Sequence, residues 1–221
     1  GDGDQVLDIL AEHPSTARFI ATKLCARFVA DVPPGSLVAR VADSYLQTGG
    51  DVPTMLRTIL YSEEFAASAG LKLKRPLEFA VSAIRVTGAD GRLDRVFRLY
   101  LEALGQSPYG WPGPDGYPDY AAAWTSTSQS LHRWNLALTL TSNLMPGIST
   151  QLPGPAYSAS ELPNVIDELG QALLGTVLPE QPRAILIEFA GSLQGTDLPD
   201  GIQLPDLLAG LVLCTPHFQI R

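Results

Sequence analysis

Apolar residues recur at spacings of three and four through almost every segment of this 221-residue chain, and that recurrence constrains its fold more than any other feature. A period near 3.6 gathers such residues on one side of a helix, whereas a half-buried strand needs strict alternation. Ala17, Ile20, Ala21, Leu24, Cys25 and Phe28 form one such face, with Arg18, Lys23 and Arg27 on other sides of the cylinder. Leu93, Val96, Phe97, Tyr100, Leu101 and Leu104 form another, unbroken, stripe. Strand alternation is sustained nowhere. The expectation is an all-α protein: an irregular multi-helix bundle with one long ordered loop rich in Trp and Pro, and no significant sheet.

Prolines, glycines and short polar residues punctuate the helices. Val6, Leu7, Ile9 and Leu10 predict an opening helix from about Asp4, ended by His13-Pro14 because the residue before proline is driven out of the helical region. Ser36 is expected to cap a helix with Leu37, Val38, Val41, Ala42, Tyr45 and Leu46 inward, and Gly49-Gly50 to end it in the left-handed conformation. Asp51 and Ser62 are further expected caps, the first for a helix carrying Met55, Leu56, Ile59 and Leu60. Lys72, Lys74 and Arg75 read as a basic patch ahead of a helix opened by Pro76 and closed by Gly88. A helix from about Ser128 to Met145 has Leu131, Trp134 and Leu138 on one side and Leu136, Leu140 and Leu144 on another, so it is expected to be central and buried. Three more helices are predicted over 162–174, 182–193 and 204–213.

The domain reading has three parts: residues 1–145 as a main helical domain containing the 105–127 loop, 146–160 as a Pro/Gly/Ser-rich linker or excursion, and 161–221 as helices on the same core. One internal echo joins the two ends of the chain. Ile59-Leu60-Tyr61-Ser62 followed by Phe65, and Val212-Leu213-Cys214-Thr215 followed by Phe218, each run from an apolar helix end to a Ser/Thr cap and an aromatic three residues on. Reused capping chemistry accounts for it better than duplication does.

Composition removes several function classes. A net charge of −8 and a pI near 4.8, with Lys and Arg scattered, oppose a nucleic-acid partner, since phosphates need a basic surface. No run approaches the roughly 20 apolar residues of a membrane span. The first residues, GDGDQVLDIL, lack the regions of a signal peptide. Cys25 and Cys214 are either two buried thiols or a bridge, and sequence supplies no distance to decide.

Metal and cofactor chemistry finds no foothold in the spacing. His13, His132 and His217 stand apart, without a second ligand at i+3 or i+4. Gly88 to Asp94 lacks the alternating oxygen ligands of a calcium loop, which leaves a turn and a helix start. No G-x-S-x-G elbow, no basic neighbour for either thiol and no G-x-x-x-x-G-K loop is present, so no cofactor is expected and the enzyme reading has no motif to rest on.

The stretch Gly105 to Asn135, by contrast, follows neither period and holds all three tryptophans. Loops this long inside a compact domain tend to be functional. Trp111, Tyr117, Tyr120 and Trp124 offer flat amphipathic faces, and Asp115, His132, Arg133 and Asn135 offer directional polar groups, a pairing suited to a sugar or peptide ligand. Equally, the tryptophans pin the loop to the helices, and Arg133 or Asn135 satisfies its backbone carbonyls. Arg133 is the hardest to read as bland, because a guanidinium on an apolar helix needs a partner; Asp115 and Asp119 are nearest in sequence. Arg75 and Glu78, three apart around Pro76, form a second constellation, either a helix-start clamp or part of a ligand site.

Several phrases together resemble a bacterial family catalogued as domain of unknown function 1800. They are His13-Pro14-Ser15-Thr16-Ala17-Arg18-Phe19-Ile20-Ala21 with Lys23-Leu24, Gly49-Gly50-Asp51, Ser62-Glu63-Glu64-Phe65 and Lys74-Arg75-Pro76-Leu77-Glu78. Gly105-Gln106, Gly110-Trp111-Pro112, Asp115-Gly116-Tyr117-Pro118, Trp124, Arg133-Trp134-Asn135 and Phe218-Gln219-Ile220-Arg221 continue the series in order. The resemblance implies that this chain is the carboxy-terminal half of a longer protein, extracytoplasmic (periplasmic or otherwise exported), often encoded beside a sulfatase-like family. It brings no catalytic residue with it. Three functional expectations follow: a non-catalytic module binding a partner or glycan-like ligand through Trp111 to Asn135; a hydrolase-like enzyme using Arg75, Glu78, His132 or Arg133 with a missing half; or a scaffold for the sulfatase-like neighbour.

Overall fold

A computed structural model describes residues 1–92, 95–152, 161–193, 198–199 and 201–221. Among these the regular structure is helical, and the sheet is a two-residue antiparallel ladder of β1 (Asp90–Gly91) and β2 (Ile148–Ser149), with Gly91 opposite Ile148. Gly91 has φ 138, and a Cβ there would run into the Gly147 carbonyl, so the ladder closes only on glycine. Contacts gather the chain into two compact units. One is Gly1–Leu73 with Pro118–Ala123 and Arg221; the other is Lys74–Tyr117 with Trp124–Ile220. The division falls after Leu73, and of the expected 146–160 excursion residues 153–160 lie outside the described residues.

The first unit holds α1 (Asp2–Glu12), α2 (Pro14–Phe28), α3 (Gly35–Thr48), α4 (Val52–Leu60) and α5 (Glu63–Ala66). Ala21 and Cys25 on α2 are small enough to let Leu37, Val38 and Val41 of α3 close over them, and Met55 and Ile59 of α4 complete the core. Asp51 and Ser62 cap as predicted, accepting from the amides of Thr54 (2.9 Å) and Phe65 (3.1 Å). Gly49 takes the left-handed exit at φ 65. Ser36 does not cap: α3 begins a residue earlier, and the Ser36 hydroxyl turns to Glu64, whose other oxygen pairs with Arg40 at 2.8 Å. Leu46, expected inward, is 45% exposed, and α1 buries none of its residues.

The expected basic patch dissolves in this unit. Lys72 is 3% exposed, and its Nζ donates to the Ala26 carbonyl (2.7 Å), Asp31 Oδ1 (2.9 Å) and the Asp119 carbonyl (3.3 Å). Asp31 accepts the Ala121 amide on its other oxygen, and the Lys72 carbonyl accepts the Arg221 amide at 2.8 Å. Burial raises the Asp31 carboxyl, but the Ala121 amide and Lys72 outweigh it and hold it below its ordinary range. A buried ammonium with all three protons placed is a structural tie.

The second unit holds α6 (Pro76–Val86), α7 (Arg95–Ala103), α8 (Thr127–Thr141), α9 (Leu162–Leu174), α10 (Glu180–Ser192), α11 (Leu204–Cys214) and α12 (Pro216–Gln219). Its single core draws on helices from both sides of 146–160, including Phe79, Leu101, Leu136, Leu140, Ile166, Leu169 and Leu208. Leu93, the first residue of the expected α7 stripe, lies outside the described residues, as does Asp94. At the α8/α11 crossing, a Cβ on Gly210 would lie 2.7 Å from Thr141 Oγ1, so that approach is fixed by the absence of a side chain.

Helix α8 corrects the expectation of an all-round buried rod. It is capped by Ser126, ends at Thr141, and buries one face of Arg133, Leu136, Ala137 and Leu140. Leu131 and Trp134, on the other side, are 52% and 46% exposed. Hydrophobic residues all round a helix thus did not mean burial all round, which is the ordinary one-way character of that rule. The echo of Ser62 and Thr215 is reproduced only in part, since the Ser62 hydroxyl accepts the Phe65 amide whereas Thr215 makes no side-chain cap bond. Each hydroxyl donates three residues back, to Ile59 at 2.6 Å and Val212 at 2.7 Å, before a one-turn helix.

Candidate functional site

The expected site residues, Tyr120 of the first unit excepted, belong to the second unit and separate there into two groups. The first is the aromatic loop. Gly105 ends α7 with φ 83, and Tyr109 turns the chain at φ 60. Trp111, Tyr117 and Trp124 then form a ladder, with centroids 5.0 Å apart for the first pair and 6.0 Å for the second, both tilted by nearly 50°. Exposure falls along it, from 39% at Trp111 to 5% at Trp124, so the inner end belongs to the core and the outer end to solvent.

Hydrogen bonds lock the ladder. The Trp111 indole Nε1 donates to Asp115 Oδ1 at 2.9 Å, and the Tyr117 hydroxyl donates to the Ser107 carbonyl at 2.8 Å. Gly110 lies beneath that hydroxyl, where a Cβ would come within 3.0 Å of it. The 107–117 part of the loop is thereby tied by its own aromatics. The outer surface of Trp111 is left presented at a fixed angle, which is what a stacking platform requires.

The second group is built where α6 begins. Pro76 opens the helix with its fixed φ, and Glu78 folds back so that Oε2 accepts the Arg75 amide at 3.0 Å. Glu78 Oε1 meets the Arg75 guanidinium at 3.1 Å. Since a guanidinium has no acceptor, Glu78 alone does the capping. Gln106 Oε1 accepts the Leu77 amide at 2.9 Å, so two first-turn donors are already taken.

Arg133 enters this group, and neither Asp115 nor Asp119 is its partner. It is 3% exposed, and it donates from NH1 to Gln219 Oε1 (2.9 Å) and from NH2 to the Lys74 carbonyl (2.7 Å). Its Nε has no hydrogen-bond partner among the described residues, and the guanidinium carbon lies 5.3 Å from the Phe79 ring centre. Burial pulls its pKa down to about 10, with Glu78 opposing, so the side chain is charged at neutral pH. Gln219 binds on three sides: Nε2 donates to the Leu213 carbonyl at 2.9 Å, and its own carbonyl accepts the Lys74 amide at 2.8 Å. Lys74 Nζ stands 3.8 Å from the Phe218 ring centre, and Phe218 meets Phe79 edge-on at 5.6 Å.

Arg133 thus ties α8 to the start of α6 and to the chain's last turn, and the loop carbonyls are not its acceptors. His132 is half-buried and Asn135 exposed, and neither side chain hydrogen-bonds to a described residue. Sequence reasoning found the need for a partner at Arg133 but not Gln219, Gln106 or Lys74. The available signal was general: a buried cation requires acceptors, and neutral amides supply them. A partner 86 positions away has no local signature.

Fold and site together define an all-α protein with a locked aromatic loop and a buried guanidinium knot. The chain belongs to the family described as Protein of unknown function (DUF1800), a model of which matches residues 1–220. No curated protein and no solved structure matches it.

Proposed function

We propose that this chain is a non-catalytic binding module that takes a glycan-like ligand on the outer face of Trp111. The observation that carries the reading is the graded ladder: Trp124 buried, Tyr117 half-buried and hydrogen-bonded, and Trp111 exposed yet oriented by Asp115. A sugar ring places its C–H face on an indole, and a rigid indole costs little entropy on binding. Asp115 beside it supplies an acceptor for ring hydroxyls. The exported location implied by the family resemblance would put such a module among envelope glycans.

Titration calorimetry with neutral and acidic oligosaccharides tests the reading on wild type and on Trp111→Ala. Support is saturable heat that disappears in the variant while its melting temperature stays near wild type. Heat of equal size in both proteins, or none with any saccharide, refutes it.

A protein partner, such as the sulfatase-like neighbour, is favoured by a separate observation, the exposed pair Leu131 and Trp134 one turn apart on α8. Co-purification that depends on Trp134 and not on Trp111 would select that reading. The hydrolase reading is the weakest, because Arg75 and Glu78 are engaged with each other and Arg133 is buried in a structural knot.

A further inference from the structure

The turn just ahead of Trp111 carries a residue that its geometry disfavours. The Gly110 amide donates to the Ser107 carbonyl at 2.9 Å, which closes a four-residue turn over Ser107-Pro108-Tyr109-Gly110. Proline holds φ negative at the second position and Tyr109 stands at φ 60 at the third, the combination of a type II turn. That third position suits Gly or Asn, because a larger side chain crowds the backbone there, and a bulky tyrosine is an outlier. Packing does not offset the strain. The Tyr109 side chain is fully exposed, and it makes no hydrogen bond or ring contact to a described residue. Strain of this kind, kept where the fold gains no contact from it, points outward to something the chain binds.

The same anchor serves the aromatic ladder. The Ser107 carbonyl that closes the turn also accepts the Tyr117 hydroxyl at 2.8 Å, so the Tyr109 turn and the Trp111–Tyr117 pair are tied to one oxygen. Tyr109 and Trp111 are two residues apart, which keeps their α carbons within about 7 Å of each other, near enough for two successive rings of one sugar chain. Charge narrows the ligand further. Between Arg98 and His132 the sequence has no Lys or Arg, whereas Glu102, Asp115 and Asp119 are acidic. An anionic saccharide would meet the Asp115 carboxylate beside the indole and no cation from the loop.

We propose that Tyr109 is a second stacking residue of the Trp111 site, and that the ligand is a neutral oligosaccharide of β-linked, equatorially substituted pyranoses, one ring on Trp111 and the next on Tyr109. The inference rests on the reading of Trp111 as a glycan-binding face. Such a pyranose presents a flat C–H face and no charge, which suits aromatic surfaces that no cation accompanies.

The test titrates the full chain with chitotetraose, cellotetraose and tetragalacturonate by calorimetry and follows melting temperature in parallel. Saturable heat is expected from at least one of the two neutral tetrasaccharides and none from the acidic one. Tyr109→Gly and Tyr109→Asn, both suited to a positive φ, should weaken the neutral ligand by about tenfold. Their melting temperatures should stay at or above that of wild type, because the strain is relieved. Tyr109→Phe, which keeps the ring, should recover most of the lost affinity. If both ring-less variants bind as wild type while Trp111→Ala does not, Tyr109 is no part of the site and the Trp111 reading stands alone. A melting temperature that falls by several degrees in both overturns the inference as well, since Tyr109 then serves the fold. Heat from tetragalacturonate alone overturns the neutral class and leaves Trp111 standing. Silence from all three saccharides, or heat unchanged in Trp111→Ala, removes both readings.

Discussion

Replacing Arg133 by methionine removes the knot at the start of α6 while roughly conserving the length of an apolar stem, so the loss is almost entirely electrostatic. The variant strands Gln219 Oε1 and the Lys74 carbonyl, both held by Arg133 at 2.9 and 2.7 Å. A buried acceptor left unpaired costs about 1–3 kcal/mol, and since these two bonds are part-buried the pair costs at most about 2–6. Against this stands the relief of a buried charge, which burial already disfavours enough to bring its pKa to about 10. Apolar replacements of whole buried ion pairs are often neutral for that reason. Here the acceptors stay behind, so a net loss of about 2–4 kcal/mol is expected. Urea unfolding followed by tryptophan fluorescence measures it as a shift in midpoint at constant slope. Lysine at 133 should recover part of the loss, because an ammonium reaches one acceptor but cannot fork between two. The Gln219→Leu variant should cost less alone and should be strongly non-additive with Arg133→Met. A methionine variant as stable as wild type would refute the claim that the guanidinium organises this end of the unit.

The remaining predictions concern the ladder, the thiols and acid. Trp124→Ala should cost about 3–5 kcal/mol, as large-to-small changes in a core do, whereas Trp111→Ala should cost about 1 kcal/mol, the scale of one aromatic pair; equal losses by denaturant titration would contradict the gradient of burial. Cys25 and Cys214 are free thiols that burial pushes up to about 11 and about 12. Alkylation at pH 8 should therefore proceed only on unfolding, and rapid labelling of the native protein would count against it. For Asp31 the sign is that of a depressed carboxyl: its stabilisation is complete above the ordinary carboxyl value and is lost as pH falls through the lower folded value. Thermal melts should be flat from pH 7 to about 4.5 and drop below it, and Asp31→Asn should flatten the drop. An unchanged acid limb in that variant would remove Asp31 and Lys72 from the account.

Much of the helical frame was legible because its signals are local. Asp51, Ser62, Pro76 and Gly49 act through groups within four residues, and those positions read correctly from spacing alone. What escaped depends on groups far apart in the chain. Lys72 reads as surface charge until Ala26, Asp31 and Asp119 surround it, and Arg133 reads as a support for the loop until Gln219 arrives from the last turn. Helix α8 misled for a different reason: Leu131 and Trp134 complete an apolar surface that this unit does not bury. The ladder was half legible. Sequence grouped Trp111, Tyr117 and Trp124, but which end faces water depends on packing.

Three tryptophans give three indole N–H resonances, so a two-dimensional nitrogen–proton spectrum can watch the ladder residue by residue. On adding a saccharide at saturation, the Trp111 indole signal should move while those of Trp124 and Trp134 stay in place. Movement at Trp134 alone, a uniform drift of all three, or no movement with any saccharide would contradict the assignment of Trp111 as the binding face.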